Sequence, residues 1–110
     1  MLKTWTLRFR VKDRKNFEEL RNGAKPIETR AATEKYRKIK KGDALKIVCG
    51  KEEIEKRIKR VRIFKSLKAL PRKQIMPWTK SYAEMERAYY SYPGYKDKIK
   101  KFGIIAFYLE

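Results

Sequence analysis

The sequence contains no histidine and a single cysteine, Cys49. The first absence removes Ser-His and Cys-His catalysis and the usual nitrogen ligand of a zinc site. The second excludes an internal disulfide and leaves at most one thiolate for a metal. Cys49 lies in an apolar run, where a small buried thiol is its expected role. Long hydrophobic runs are also missing: none reaches the roughly 18 residues needed to cross a bilayer. The opening residues, Leu2-Lys3-Thr4-Trp5, lead straight into a strand pattern rather than a secretory leader. The expected location is therefore the cytoplasm, with no membrane partner and no transmembrane segment.

Negative charge is scarce as well. Thirteen Asp and Glu face 31 Lys and Arg, a formal net charge of +18. Such an excess on a small domain attracts polyanions. RNA is the expected partner, bound with a steep dependence on salt. A thermostable, heat-adapted surface is the competing explanation, but ion-pair networks need both signs, and here one sign prevails by more than two to one. At 42% hydrophobic residues the chain is expected to fold, as one domain over residues 1–110 with a thin core.

Periodicity supplies the elements. Residues 4–11 alternate strictly, with Trp5, Leu7, Phe9 and Val11 on one face and Arg8 and Arg10 on the other, which predicts a half-buried strand. Arg8 and Arg10 are thereby candidate phosphate contacts. Asp13 is placed to cap a short helix that buries Phe17 and Leu20 and stops at Gly23. Residues 25–30 read as a second strand, with Pro26 confining it to an edge or a strand start. A helical turn at 33–39 and a turn at Gly42-Asp43 precede a strand over 44–49. Residues 52–64 are ambiguous: Glu52–Lys56 and Glu53–Arg57 are good helix pairs. The β-branched residues favour a bent strand, which requires a bulge near Lys59. Ser66 opens a brief helix bearing Leu67 and Leu70, and Ile75-Met76-Pro77-Trp78 reads as an apolar loop. Ser81 and Glu84 form a capping box that starts a helix through Tyr92. Residues 96–101 read as a basic turn before a closing apolar strand at 104–109.

One stretch concentrates complementary chemistry: Gly23-Ala24-Lys25-Pro26-Ile27-Glu28-Thr29-Arg30, followed by Lys40-Lys41-Gly42-Asp43. A regular strand would put Glu28 and Arg30 on one face and Lys25 on the other. The three converge if Lys25 sits in the loop before the strand, which is the expectation, or if Pro26 breaks the pleat. The alternative is a Glu28–Arg30 pair with Lys25 free in solvent. Among the aromatics, Tyr82, Met85 and Tyr89 share a helical stripe and are expected in the core. Tyr90 and Tyr95 lie off that stripe, among basic residues, where exposed rings can stack on bases. Trp78, in its Pro-bearing loop, is the candidate cleft wall.

The pattern Gly-x-Lys-x-x-Glu-x-Arg followed by Gly-Asp resembles the ASCH domain family, loosely over nearly the whole chain. The resemblance implies an α+β fold: a small PUA-like β-barrel of about five to six strands with flanking short helices. It places Lys25, Glu28 and Arg30 at a polar cleft where RNA or a nucleotide would sit. The family is thought to hold RNA-binding members, nucleases and an amidohydrolase branch acting on modified cytidine. That branch is thought to use a lysine, a threonine three positions later and a downstream glutamate. Lys25 matches the first, but position 28 is Glu, and the region of Pro77-Trp78 offers no carboxylate. The leading expectation is RNA binding. The alternative is a hydrolase acting on RNA or a modified nucleoside, ribonuclease-like or N-acylcytidine amidohydrolase-like, with Lys25 and Glu28 as catalytic candidates. A metal-dependent nuclease would need clustered carboxylates, for which Glu28 and Asp43 are the available pair. No cofactor or metal is expected, and the oligomeric state is left open.

Overall fold

The computed structural model describes residues 2–110. Strand β1 (Thr4–Phe9) turns Trp5, Leu7 and Phe9 inward. It does not continue to Val11, which is 69% exposed. Arg10 is drawn instead onto Asp13, Nε to Oδ2 at 2.5 Å, and a 3-10 turn at Val11–Asp13 redirects the chain. Asp13 is thereby engaged with Arg10 and does not cap helix α1 (Arg14–Arg21) through its side chain. That helix buries Phe17 and Leu20 as its spacing predicts, and Gly23 follows at φ 84°.

Strand β2 (Ile27–Ala31) begins just after Pro26 and lies at a sheet edge. A short helix α2 (Glu34–Arg37) leads to β3 (Ala44–Cys49), where Cys49 is fully buried. Next comes β4 (Glu52–Phe64), and the strand reading of this segment is the one observed. Its register shifts between Ile58 and Arg60. Before the shift it pairs with β3, with Ile54 opposite Ile47. After it, the strand pairs with β5 (Ile104–Leu109), with Val61 opposite Phe107.

Between β4 and β5 lie a 3-10 turn at Leu67–Ala69 and helices α3 (Arg72–Ile75), α4 (Tyr82–Tyr90) and α5 (Tyr95–Phe102). Ser81 Oγ accepts from Glu84 N at 3.2 Å, but the Glu84 carboxylate accepts from Lys80 N, so the capping box is only half formed. Helix α4 ends at Tyr90, before the expected Tyr92. Residues 96–101, expected to be a basic turn, are helical, because Tyr95, Ile99 and Phe102 form an inward stripe beneath the lysines.

The strand order is β1-β3-β4-β5-β2, with β1 parallel to β3 and the remaining pairs antiparallel. This is an α+β fold with a five-stranded mixed sheet and short helices. Strands β1 and β2 each have one neighbour, so backbone hydrogen bonds do not close the expected barrel. One core packs Leu7, Leu45, Ile47, Ile58 and Phe107 beneath Phe17 and Leu20 of α1. The second packs Ile27, Ala31, Ile104 and Ala106 against Ile75, Met85 and Ile99. Strand β5 contributes to both, which explains its unbroken apolar sequence. No helix among the described residues is long and apolar enough to cross a membrane.

Candidate functional site

The two edge strands frame a recess of about 260 Å³. The end of β1 supplies Arg8 and Phe9, with Arg10 just beyond; β2 supplies Glu28, Thr29 and Arg30; the α4–α5 connection supplies Tyr92, and the first residue of α5 is Tyr95. This volume lies just below the range of about 300–1,000 Å³ typical of pockets for whole small molecules.

Lys25 does sit in the loop before β2, and its side chain reaches Glu28 from there. Both residues are only 3% exposed. At that depth neither charge is tolerable alone, so each depends on its partners. Lys25 Nζ lies 3.3 Å from Glu28 Oε1 and 3.4 Å from Asn16 Oδ1. Glu28 Oε1 also accepts from the Thr29 backbone N–H at 2.8 Å, while Oε2 faces Arg30 at 3.5 Å. The reading that left Lys25 in solvent is thus corrected by this buried contact. Arg30 is less enclosed than the pair behind it, and its guanidinium lies over the Phe9 ring, 5.1 Å from the centroid. Side chains, rather than ladder bonds, therefore link the two open edges.

Arg10, held by Asp13, also lies over the Tyr92 ring at 4.2 Å. Arg8 lines the recess, is exposed, and takes part in no ion pair among the described residues. The four cations and two carboxylates of the lining leave a formal excess of two positive charges. Tyr92 and Tyr95 stand with ring centroids 5.2 Å apart. Burial pushes both phenols above their ordinary range; Asp13 adds to the effect at Tyr92, while Arg30 opposes it at Tyr95. Both therefore present neutral hydroxyls at physiological pH. Tyr89 is buried deeper, its hydroxyl bonded to that of Thr29, and burial raises its pKa far more.

Of the residues singled out in the sequence, Lys25, Glu28, Arg30, Arg8, Arg10 and Tyr95 meet at this recess. Trp78 does not line it. Its indole N–H donates to Asn16 Oδ1 at 3.2 Å, behind the wall, so Trp78 positions a lining residue rather than forming the wall. Tyr82 departs from its expected core position: it is 44% exposed, its hydroxyl donating to the Leu70 carbonyl. Asp43 is not a partner for Glu28. Its carboxylate accepts from Trp5 Nε1, Lys3 N and Lys40 N, which holds a turn outside the recess. Asn16 escaped the sequence reading. Its only local signal is a polar side chain on the buried stripe of α1, beside Phe17 and Leu20.

No protein-family model matches the chain, and no curated protein matches it significantly. Among solved structures it is similar to the crystal structure of hypothetical protein PH0355, at 27% identity and a TM-score of 0.76, covering 100% of this chain and 98% of that one. It is also similar to the solution structure of protein PF0455 from Pyrococcus furiosus, at 28% identity and a TM-score of 0.72, covering 97% and 96% respectively.

Proposed function

We propose that the protein binds RNA and takes one nucleotide into the recess, as an ASCH-type domain of PUA-like architecture. One observation carries this reading: Lys25, Glu28 and Arg30 converge in a concave, net-positive recess with tyrosines on its walls. Each group has a task. Arg8 and Arg30 offer donors to a phosphate. Glu28, oriented by Lys25 and Thr29, accepts from an exocyclic amine. Tyr92 and Tyr95 provide faces for a base. The open sheet with two facing edges is compatible with a barrel whose seam has become the binding site.

The test is fluorescence anisotropy of a labelled single-stranded RNA across a salt series, for wild type and the Arg8→Ala/Arg30→Ala double variant. Affinity should fall at least tenfold in the variant, about the loss of two charge-assisted contacts at about 1 kcal/mol or more each. Unchanged affinity would remove the recess from the binding surface. The hydrolase alternative uses the same recess. Turnover of an acylated cytidine or of the RNA by wild type, abolished in Lys25→Ala, would establish it in place of simple binding.

A further inference from the structure

Basic residues are unevenly distributed along this chain. Between Glu55 and Glu84 it holds ten lysines and arginines and no acidic residue. Among the described residues, every ion pair lies between Arg10 and Glu53. The second half of β4 and the turn after it have no such compensation.

Within that stretch Arg60 and Arg62 are exposed and lie two positions apart on one face of β4. Their guanidinium groups are held over aromatic rings, Arg60 on Tyr108 at 5.4 Å and Arg62 on Phe64 at 4.8 Å. Two residues of antiparallel strand span about 6.8 Å, close to the separation of successive phosphates on an extended nucleic-acid strand. Lys65 and Lys68 follow in the turn after the strand, and both are exposed. Stacking sets the arginines in place beforehand, so less side-chain freedom is lost when they engage a phosphate. All four side chains are donors only, and none of them lines the recess. In the ladder β4 is the middle strand, furthest from the two edges that frame the recess.

We infer that Arg60, Arg62, Lys65 and Lys68 form a second surface, separate from the recess, that binds the phosphodiester backbone of RNA without reading its sequence. Donors spaced along a strand, with no acceptor and no cavity among them, match repeated phosphates and offer nothing to distinguish most base edges. The inference does not rest on the recess reading, since the two surfaces share no residue.

The experiment replaces all four by glutamine in the full chain and measures binding of a labelled single-stranded RNA between 50 and 500 mM salt. A comparison variant carries glutamine at the exposed Lys12, Lys38, Lys41 and Lys51, removing the same charge elsewhere. Each lost phosphate contact lowers the slope of log K against log salt by about 0.7 on a single strand. The row variant should therefore lose about 3 from the slope, and the comparison variant less than 1. Mononucleotide binding, which reads the recess and the fold, should be the same in both. Equal slopes in the two variants, or no change in either, would overturn the proposal in favour of diffuse attraction. Vesicles containing phosphatidylserine provide the remaining arm. If the row variant loses vesicle binding but keeps the wild-type RNA slope, the row serves an anionic membrane and the proposal fails.

Discussion

Replacing Glu28 by alanine should do more damage than any other single change at the recess. The substitution leaves the Lys25 ammonium, 3% exposed, with one remaining partner, Asn16 Oδ1 at 3.4 Å. It also strips the Thr29 amide of its acceptor and frees Arg30. Removing one member of a buried ion pair costs about 3–5 kcal/mol, against a total stability of about 5–15 kcal/mol for a domain of this kind. At about 4 °C per kcal/mol for a chain of this size, the melting temperature should drop by about 12–20 °C. The contrast that isolates the cause is Lys25→Met/Glu28→Leu. Exchanging the whole pair for apolar groups removes the stranded charge, so this double variant should regain at least about 2 kcal/mol of what Glu28→Ala loses. Urea titrations of wild type, Lys25→Met, Glu28→Leu and the double complete the cycle, with Glu28→Ala measured beside them. A cost below about 1 kcal/mol for Glu28→Ala, or a double variant no more stable than it, would refute the account of a mutually dependent buried pair.

Two further outcomes follow from groups outside the recess. Hydrogen bonding from Trp5, reinforced by the Lys40 and Lys3 amides, holds the Asp43 carboxyl below its ordinary pKa of 3.8. A depressed folded-state pKa gives stability that is fully present above about 3.8 and lost as pH falls through the folded value. Asp43→Asn should therefore cost about 1–3 kcal/mol at pH 7 and progressively less toward pH 3 in urea melts; an equal loss at both pH values would contradict this. Gly103→Ala places a Cβ 2.5 Å from the Phe64 carbonyl oxygen at φ 81°. It should cost at least about 2 kcal/mol, and a thermal melt indistinguishable from wild type would refute the clash.

Much of the scaffold was legible because its signals are local. Strict alternation gives β1 as far as Phe9, and the parity change around Lys59 gives both the strand and the bulge of β4. Convergence of Lys25 with Glu28 was legible in part: the three groups could meet with the lysine in the loop before the strand or with the pleat broken at Pro26, and the loop placement is the one observed. What failed depended on distant partners. The end of β1 is set by where Arg10 finds Asp13, and Tyr82 lies outside the core with its hydroxyl on the distant Leu70 carbonyl. Asn16 and Trp78 stand 62 positions apart, and nothing in the sequence signals that their side chains touch. Helix α5 is a different case: the apolar spacing of Tyr95, Ile99 and Phe102 was present but hidden among lysines.

The irregularity at Lys59 reaches further than its own hydrogen bonds. Upstream, Ile54 and Ile58 face the α1 side; downstream, Val61 does so at the opposite parity, leaving Arg60 and Arg62 on the reverse face. Position 59 therefore contributes chain length rather than side-chain identity. Almost any residue could stand there, but shortening the strand by one would exchange the inward and outward faces of everything beyond it, driving two guanidiniums toward Phe107 and turning Val61 out into water.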